Sequence, residues 1–233
     1  MIRDYVALDV ETTGLNPAED RIIEIGMARV IDGVIVAEYS TLVNPQAFLS
    51  ERITSLTGIT DEMLKGKPVI KDIIADIMEF IGDLPILGHN VVFDYGFIKK
   101  AAINNGIKFE RNGIDTLKLS RRLLPEVPKK SLPFLCEHFG IDAGNSHRAL
   151  DDAISAIKLF EKLYEIKPED TGFDELITLQ CNVKKDSPIT PAQKNYLSAL
   201  LERHNLSLDI EIEGLTKSKA SKIIDGIISE YGR

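Results

Sequence analysis

The chain has 233 residues, of which 44% are apolar and 27% charged. This is the composition of an ordinary globular protein with enough apolar residues to bury a sizeable core, and no apolar run is long enough to span a membrane. The net charge of −8 argues against a module that grips duplex DNA through a basic face, but not against an enzyme with an acidic metal site.

The two cysteines, Cys136 and Cys181, lie far apart in sequence and show no spacing typical of a zinc site. A reduced protein in the cytoplasm is therefore the expectation. The first residues, MIRDYVALDVE, pass directly into a strand-like pattern that contains an acid, so we expect no signal peptide.

The N-terminal part of the chain predicts three strands, at residues 4–10, 21–31 and 33–43, and Asp32-Gly33 predicts a hairpin between the second and third. Helical patterns follow at about 70–82, 91–105, 116–124, 131–139 and 147–164, and short apolar runs predict buried strands at 85–88 and 113–115. This order indicates an α/β fold whose sheet is antiparallel at one side and parallel at the other.

The pattern weakens after residue 165, and we interpret residues 166–187 as a linker that could contain one short helix. Residues 188–233 predict a small helical C-terminal module. Thr190-Pro191 is typical of a helix start, and Thr216 is predicted to cap a second helix. A unit of this size is marginal alone, so we expect it to pack on something.

The first candidate site residues are Asp9 and Glu11, at the end of the first strand. Residues two apart in a strand point to the same face, so the two carboxylates are expected to lie side by side. They would repel each other unless a divalent cation lay between them. A solvent-exposed strand end is the commoner explanation of an isolated Asp-x-Glu.

The second candidate is the segment His147-Arg-Ala-Leu-Asp-Asp-Ala153, at the start of the last helix before the linker. Helical periodicity places Asp152 in a stripe of small residues that faces the protein and places Asp151 toward the flank. His147 is expected at the frayed start of the helix, where it could reach a metal-bound water and act as a general base. A capping or surface role is the alternative for a lone histidine.

The third candidate is Asn90-x-x-Phe93-Asp94, where a short strand leads into a helix. A carboxylate in the first helical turn is favoured by the helix dipole, so Asp94 has an ordinary explanation when taken alone. The same arrangement could also place the acid at the mouth of the cleft that holds the other two motifs.

The three motifs together, in this order and spacing, closely resemble the DEDD superfamily of 3′-to-5′ exonucleases. The histidine five residues before Asp152 is typical of the His-containing branch, since the other branch has a tyrosine where this chain has Arg148. The segments 5–15 and 146–153 match the first and third motifs almost residue for residue. Within the family the chain is most similar to bacterial proofreading exonucleases, either the DNA polymerase III epsilon subunit or the exonuclease inserted in Gram-positive replicative polymerases.

The resemblance implies a ribonuclease-H-like mixed sheet with helices on both faces, formed by an exonuclease domain at 1–165. It implies that His147 activates water and that two Mg²⁺ or Mn²⁺ ions are held by four acids: Asp9, Glu11, Asp94 and Asp152. It also implies a grip on the terminal nucleotide, with the backbone near Thr12 at the 3′-hydroxyl and Leu15 against the last base. The other candidate substrate contacts are Thr13, Gly14, Asn90 and Phe93, the last of which could equally be a core residue.

The expected substrate is single-stranded DNA or a frayed 3′ end, from which the enzyme would release nucleoside 5′-monophosphates. An RNA-trimming exoribonuclease remains an alternative, because the motifs do not report on the 2′-hydroxyl. A non-catalytic adaptor is the third possibility, although the presence of all four acids and the histidine argues against it. The chain shows no polymerase motif, so a proofreading role would need a separate DNA polymerase, and a role in repair or end trimming is equally compatible.

Overall fold

The computed structural model describes residues 1–144, 147–208 and 211–232. The chain folds into two compact units, Met1–Val183 and Lys184–Arg233. The first unit contains a six-stranded sheet with the spatial order β3-β2-β1-β4-β5-β6. Its strands are β1 (Tyr5–Thr12), β2 (Ile22–Ile31), β3 (Val34–Leu42), β4 (Ile86–Gly88), β5 (Asn112–Asp115) and β6 (Ile177–Thr178).

The sheet is mixed, as the sequence predicts. Strands β1, β2 and β3 are antiparallel neighbours, whereas β4 runs parallel to β1 and β5 parallel to β4. Asp32 and Gly33 both have positive φ, as required at the two positions of the tight hairpin between β2 and β3. The predicted meander and the two short buried strands are therefore confirmed.

Helices connect and cover the strands of the first unit. They are α1 (Glu51–Thr57), α2 (Asp61–Leu64), α3 (Ile70–Ile81), α4 (Val92–Asn104), α5 (Thr116–Leu123), α6 (Leu132–Phe139) and α7 (Ala149–Ile166). The five predicted helices correspond to α3 to α7, while α1 and α2 were not predicted. None of the described helices is long and apolar enough to cross a bilayer.

The core lies on both faces of the sheet, and β1 separates its two halves. Val6, Leu8 and Val10 pack with residues of α3 and α4 on one face, and Tyr5 and Ala7 pack with residues of α5, α6 and α7 on the other. The alternation expected for a buried strand is therefore observed. Asp9 and Glu11 continue the series that faces α7, which is why two acids arrive at the start of that helix.

The predicted linker at 166–187 differs from the structure. Helix α7 continues to Ile166, a 3-10 turn follows at Thr171–Phe173, and β6 adds an antiparallel edge strand to β5. Phe173 is completely buried. These packed apolar residues belong to the first unit, which extends to Val183.

The second unit is a pair of helices, α8 (Pro191–His204) and α9 (Lys217–Tyr231), around a small apolar cluster of their own. Both predicted caps are confirmed: Thr190 accepts a hydrogen bond from the Gln193 amide, and Thr216 accepts one from the Lys219 amide. The Gln193 side chain completes a capping box with Thr190. Of the predicted segments, Ser146 in the third motif and Asp209, Ile210 and Arg233 in the C-terminal module lie outside the described residues.

Candidate active site

Asp9 and Glu11 lie at the end of β1, beside β2. The antiparallel register pairs Asp9 with Gly26 and Glu11 with Glu24. The ladder is irregular immediately after Glu11, where the chain leaves the sheet for the Thr12–Leu15 turn. Two carboxylates thus stand on one face of the sheet, next to the place where the strand opens into a loop.

Asp94 reaches the same strand from the first turn of α4. Its side chain is almost completely buried, and its Oδ1 accepts a hydrogen bond of 3.0 Å from the amide of Val10. Because Val10 lies between Asp9 and Glu11, this bond places the Asp94 carboxylate beside theirs. The sequence predicts Asp94 near the site, and the hydrogen bond from Val10 holds its carboxylate there.

Asp152 and His147 arrive from the start of α7. The Asp152 Oδ2 accepts a hydrogen bond of 3.0 Å from the His147 amide, and His147 has φ of +66°, so the chain turns sharply before the helix begins. The ligand-capable atoms of Glu11, His147 and Asp152 all lie within 4.8 Å of one another. Among the residues that the structure describes, these three form a group able to hold a divalent metal ion.

The acids of this cluster are held in an environment that disfavours their charge. Burial, followed by repulsion from Asp94, Asp152, Glu11 and Glu24, raises the pKa of Asp9 well above its usual range. Burial and the charges of Asp152 and Glu24 raise the pKa of Glu11 to about 8. Burial likewise raises the pKa values of Asp94 and Asp152. A cation would remove this repulsion, so the all-carboxylate cluster fits a hard divalent ion.

Close packing of α7 against β2 explains how the histidine and aspartate reach β1. A Cβ added to Gly26 would lie 2.1 Å from the Leu150 nitrogen and 2.2 Å from the Ala149 carbonyl carbon. Only glycine allows the helix start to approach the sheet this closely, directly opposite Asp9 in the register.

Glu24 and Arg148 lie beside the cluster, and neither is among the predicted site residues. The carboxylate of Glu24 is buried on β2 and forms an ion pair with the Arg148 side chain, with an Nη2–Oε1 distance of 2.8 Å. It also accepts a hydrogen bond of 3.2 Å from the amide of Ala149. The sequence contains one signal: Glu24 is the single acid of β2 and has only apolar residues and a glycine around it from Ile22 to Ala28.

A cavity of about 520 Å³ opens beside the carboxylates. The predicted metal ligand Glu11 lines it, together with five of the predicted substrate contacts: Thr12, Thr13, Gly14, Leu15 and Phe93. Its other wall comes from Ser50 and from residues of α1, Arg52, Ile53 and Leu56, none of which was predicted. A volume of this order suits a single small organic ligand.

The Thr12–Leu15 turn is held by its own hydrogen bonds. The Thr12 hydroxyl donates to the Gly14 carbonyl at 2.6 Å, and the Thr13 hydroxyl accepts from the Arg21 amide at 2.9 Å. A Cβ on Gly14 would lie 2.5 Å from the Asp20 carboxylate, so a larger residue here would require that side chain to move. Leu15 is 79% exposed at the rim of the cavity, although it is apolar.

Phe93 and Asn90 have different surroundings. Phe93 is half-buried, packs against the core and against Phe97, and also lines the cavity. Asn90 is exposed and does not line this cavity; its amide donates a hydrogen bond of 3.1 Å to Asp115. The structure thus brings Phe93 to the site and places Asn90 beside the start of α5.

Sequence comparison identifies the class of protein. A family model described as an exonuclease, RNase_T, matches residues 6–160. The epsilon subunit of DNA polymerase III from Aquifex aeolicus is 40% identical over 162 residues, which cover 69% of this chain and 80% of that protein. The PolC-type DNA polymerase III of Clostridium perfringens is 38% identical over 176 residues, covering 76% of this chain but only 12% of that protein. The chain belongs to the exonuclease family of the DEDD superfamily.

Solved structures agree on the fold. Exonuclease X, solved in complex with 5′ overhanging duplex DNA, is 29% identical, with a TM-score of 0.57 over 71% of this chain and 93% of that one. Exonuclease I of E. coli, solved with a dT13 oligonucleotide, has a TM-score of 0.65 at 22% identity, over 72% of this chain and 42% of that one. The predicted ribonuclease-H-like fold is confirmed.

Proposed function

We propose that this chain is a metal-dependent 3′-to-5′ exonuclease of the His-containing branch that releases nucleoside 5′-monophosphates from DNA ends. The observation that carries the proposal is the convergence of Glu11, His147 and Asp152 within 4.8 Å of one another, beside a cavity of about 520 Å³. Asp9, on β1, and Asp94, whose carboxylate accepts a hydrogen bond from the amide of Val10 on that strand, complete the cluster.

The residues proposed to hold two Mg²⁺ or Mn²⁺ ions are Asp9, Glu11, Asp94 and Asp152. Carboxylate oxygens are the ligands that these ions prefer. Two such ions, when bound, stabilise the charge on the attacking and leaving oxygens of a phosphodiester. The pKa values of the four acids, raised by burial and repulsion, support this assignment, since the acids gain most from a neighbouring cation.

His147 is the proposed general base. A histidine can accept a proton from water near neutral pH, and here its ring faces Glu11 and Asp152. Its backbone amide is tied to Asp152, so the ring is presented from a fixed turn and not from a free loop. In this role it would deprotonate the attacking water at the terminal phosphodiester.

The terminal nucleotide is proposed to lie in the cavity. Thr12 to Leu15 would contact the sugar and the 3′-hydroxyl, and the exposed apolar side chain of Leu15 would pack against the last base. Across the cavity, Leu56 and Ile53 add apolar surface, and Arg52 supplies a positive charge. The non-specific character of these walls suits an enzyme that must accept every base.

DNA is the proposed substrate, as a single strand or a frayed 3′ end. The support is that similar chains belong to DNA polymerase III proteins and that the exonuclease I structure contains a DNA oligonucleotide. Work with a separate DNA polymerase and independent repair or end trimming are both compatible with this site. The helical unit that begins at Lys184 is proposed to add affinity for nucleic acid and no chemistry.

The proposal is tested with 5′-labelled DNA and RNA strands of one sequence, incubated with Mg²⁺, Mn²⁺ or EDTA. We expect a ladder that shortens one nucleotide at a time from the 3′ end, faster on DNA, and abolished by EDTA and by Asp152→Asn. Asp151→Asn is the matched control and is expected to retain activity. A folded protein that shortens neither strand in either metal would overturn the proposal and favour the adaptor.

A further inference from the structure

Glu24 is a buried carboxylate in the site that the proposed reaction does not use. Only 1% of the residue is exposed, and the β1–β2 register places it directly opposite Glu11. Its charge adds to the repulsion that raises the pKa values of Glu11 and Asp152. A fifth acid, buried beside a cluster of four, is unfavourable unless it is paired and hydrogen-bonded.

The partners of Glu24 are the two residues that follow His147. Arg148 donates from Nε at 3.0 Å and from Nη2 at 2.8 Å to Oε1, and from Nε at 3.3 Å to Oε2. The Ala149 amide donates to Oε2 at 3.2 Å. Both carboxylate oxygens are therefore engaged by this one turn of chain, which leaves Glu24 poorly suited to bind a metal itself.

These contacts supply what the start of α7 lacks. Arg148 is the N-cap residue of α7, and its side chain forms no capping hydrogen bond to the helix. The first helical amides of a helix need an acceptor, and a negative charge is favoured there by the helix dipole. Glu24, from a strand distant in sequence, provides both for Ala149. Meanwhile His147 has φ of +66°, a conformation that non-glycine residues rarely adopt without support from their surroundings.

We propose that Glu24 and Arg148 are positioning residues, which hold the turn before α7 so that the His147 ring faces Glu11 and Asp152. In this role Arg148 affects catalysis only by fixing the backbone conformation of His147, and it does not contact substrate. The guanidinium of Arg148 binds Glu24 on β2, and Glu24 also accepts a hydrogen bond from the Ala149 amide. Together these contacts restrict the backbone of the turn and therefore the position of the His147 ring. This inference rests on the proposed exonuclease function for its consequence in catalysis, but not for its structural content.

The test separates position from stability by using a single and a double variant. Arg148→Ala leaves Glu24 buried and unpaired, so it should lower the unfolding temperature; Glu24→Gln/Arg148→Ala removes the buried charge and should restore that temperature. For both we expect kcat on single-stranded DNA to fall about 10- to 100-fold with KM little changed, as for groups that support a metal site from outside. Arg148→Lys keeps the charge without the fork and should rescue in part. Arg122→Ala, at an ion-paired arginine of similar exposure, 47% against 45%, is the matched control.

A second readout needs neither metal nor substrate. In metal-free protein with labelled histidine, the ring signals of His147 are identified by their loss in His147→Gln, and those of His204 in the second unit serve as the reference. We expect Arg148→Ala and the double variant to shift or broaden the His147 signals and leave those of His204 in place.

Three results would overturn the inference. One is an active wild type whose kcat and His147 signals do not change in Arg148→Ala. Another is recovery of kcat together with stability in the double variant, which would make the pair purely structural. The third is a rise in KM with kcat preserved, which would make Arg148 a substrate contact. An inactive wild type would instead overturn the proposed function, and the His147 signals would still decide whether the pair holds the turn.

Discussion

The amide of Val10 and the buried carboxylate of Asp94 are joined by a hydrogen bond of 3.0 Å. The bond links the first turn of α4 to the strand that carries Asp9 and Glu11, although the two residues are 84 positions apart. The Asp94 side chain therefore connects α4 to β1 and is also a proposed metal ligand. Substitutions can separate these two roles.

Asp94→Asn should abolish activity while preserving the fold, because the amide oxygen of Asn can still accept from Val10. The loss in kcat should reach roughly a thousandfold, since a metal centre supplies several kcal/mol of transition-state stabilisation. Asp94→Ala should lose activity to a similar extent and also about 1–3 kcal/mol of stability, since the Val10 amide is left without an acceptor. Urea unfolding and single-turnover rates of the two variants, side by side, check this. Equal stability of the two would show that the anchor contributes little.

The metal-free protein should become less stable as pH rises from about 5 to 8. Burial and mutual repulsion raise the pKa values of Asp9, Asp94 and Asp152 and bring that of Glu11 to about 8. Between the ordinary carboxyl pKa and these raised values the folded state binds more protons than the unfolded chain, so the free energy of unfolding falls as protons are lost. Urea unfolding in EDTA at several pH values measures this. Glu11→Gln should flatten the dependence, whereas Glu62→Gln at an exposed site on α2 should not.

Divalent cations should reverse that loss, and more strongly at pH 8 than at pH 6, because ligand carboxylates must be deprotonated to bind. Thermal unfolding with and without Mn²⁺ at the two pH values gives the comparison. A stabilisation by Mn²⁺ that is equal at both pH values, or equal in Asp152→Asn, would place the binding elsewhere.

Gly26→Ala should disrupt the site without touching any proposed ligand. The new Cβ would lie 2.1 Å from the Leu150 nitrogen, so α7 must move away from β2 and carry His147 and Asp152 with it. We expect a loss of about 1–3 kcal/mol in stability and a fall in kcat. Gly226→Ala in α9, where a Cβ would meet nothing within 4 Å, is the control and should stabilise its helix by up to about 1 kcal/mol. Unchanged activity in Gly26→Ala would mean that the helix start is not positioned by this contact.

Leu15→Ala should weaken substrate binding and leave stability intact. The side chain is 79% exposed in the free protein, and covering it with a base would contribute about 1.5–3 kcal/mol. KM on short single-stranded DNA should therefore rise by roughly tenfold or more. Val34→Ala, at an exposed apolar position on β3, should leave KM unchanged. A normal KM in Leu15→Ala would remove Leu15 from the binding surface.

Removal of the second unit should raise KM and preserve kcat. The cut must follow Val183, because Phe173 and Leu179 are buried in the first unit. A chain ending at residue 165 should lose these apolar contacts and β6, and should unfold readily. Steady-state kinetics of residues 1–183 against the full chain would decide whether the helical unit contributes affinity, and an unchanged KM would argue that it does not.

Sequence periodicity predicts the position of a side chain where that position depends only on the helix or strand that contains it. The two-residue period of β1 placed Asp9 and Glu11 together, and the helical period of α7 distinguished Asp152 from Asp151. The Asp32-Gly33 hairpin was equally readable, because its conformation is a property of those two residues.

Positions set by contacts between distant elements were not readable from the sequence. Glu24 forms its ion pair with Arg148, which lies 124 residues later, and no local pattern indicates that pairing. The segment around Phe173 has the composition of a linker, yet it packs because β6 finds the edge of β5. Helix α1 is only seven residues long, and it lines the cavity because of where it packs in the fold. The sequence alone therefore does not predict Arg52 and Leu56 as cavity residues.

Whether the carboxylate cluster is a divalent metal centre is tested most directly by counting bound Mn²⁺ with electron paramagnetic resonance, in the presence of a nucleoside 5′-monophosphate. Two ions per chain are expected for the wild type and for Asp151→Asn, and fewer with weaker binding for Asp152→Asn. A wild type that binds no Mn²⁺, or an Asp152→Asn variant that binds as the wild type does, would contradict the assignment.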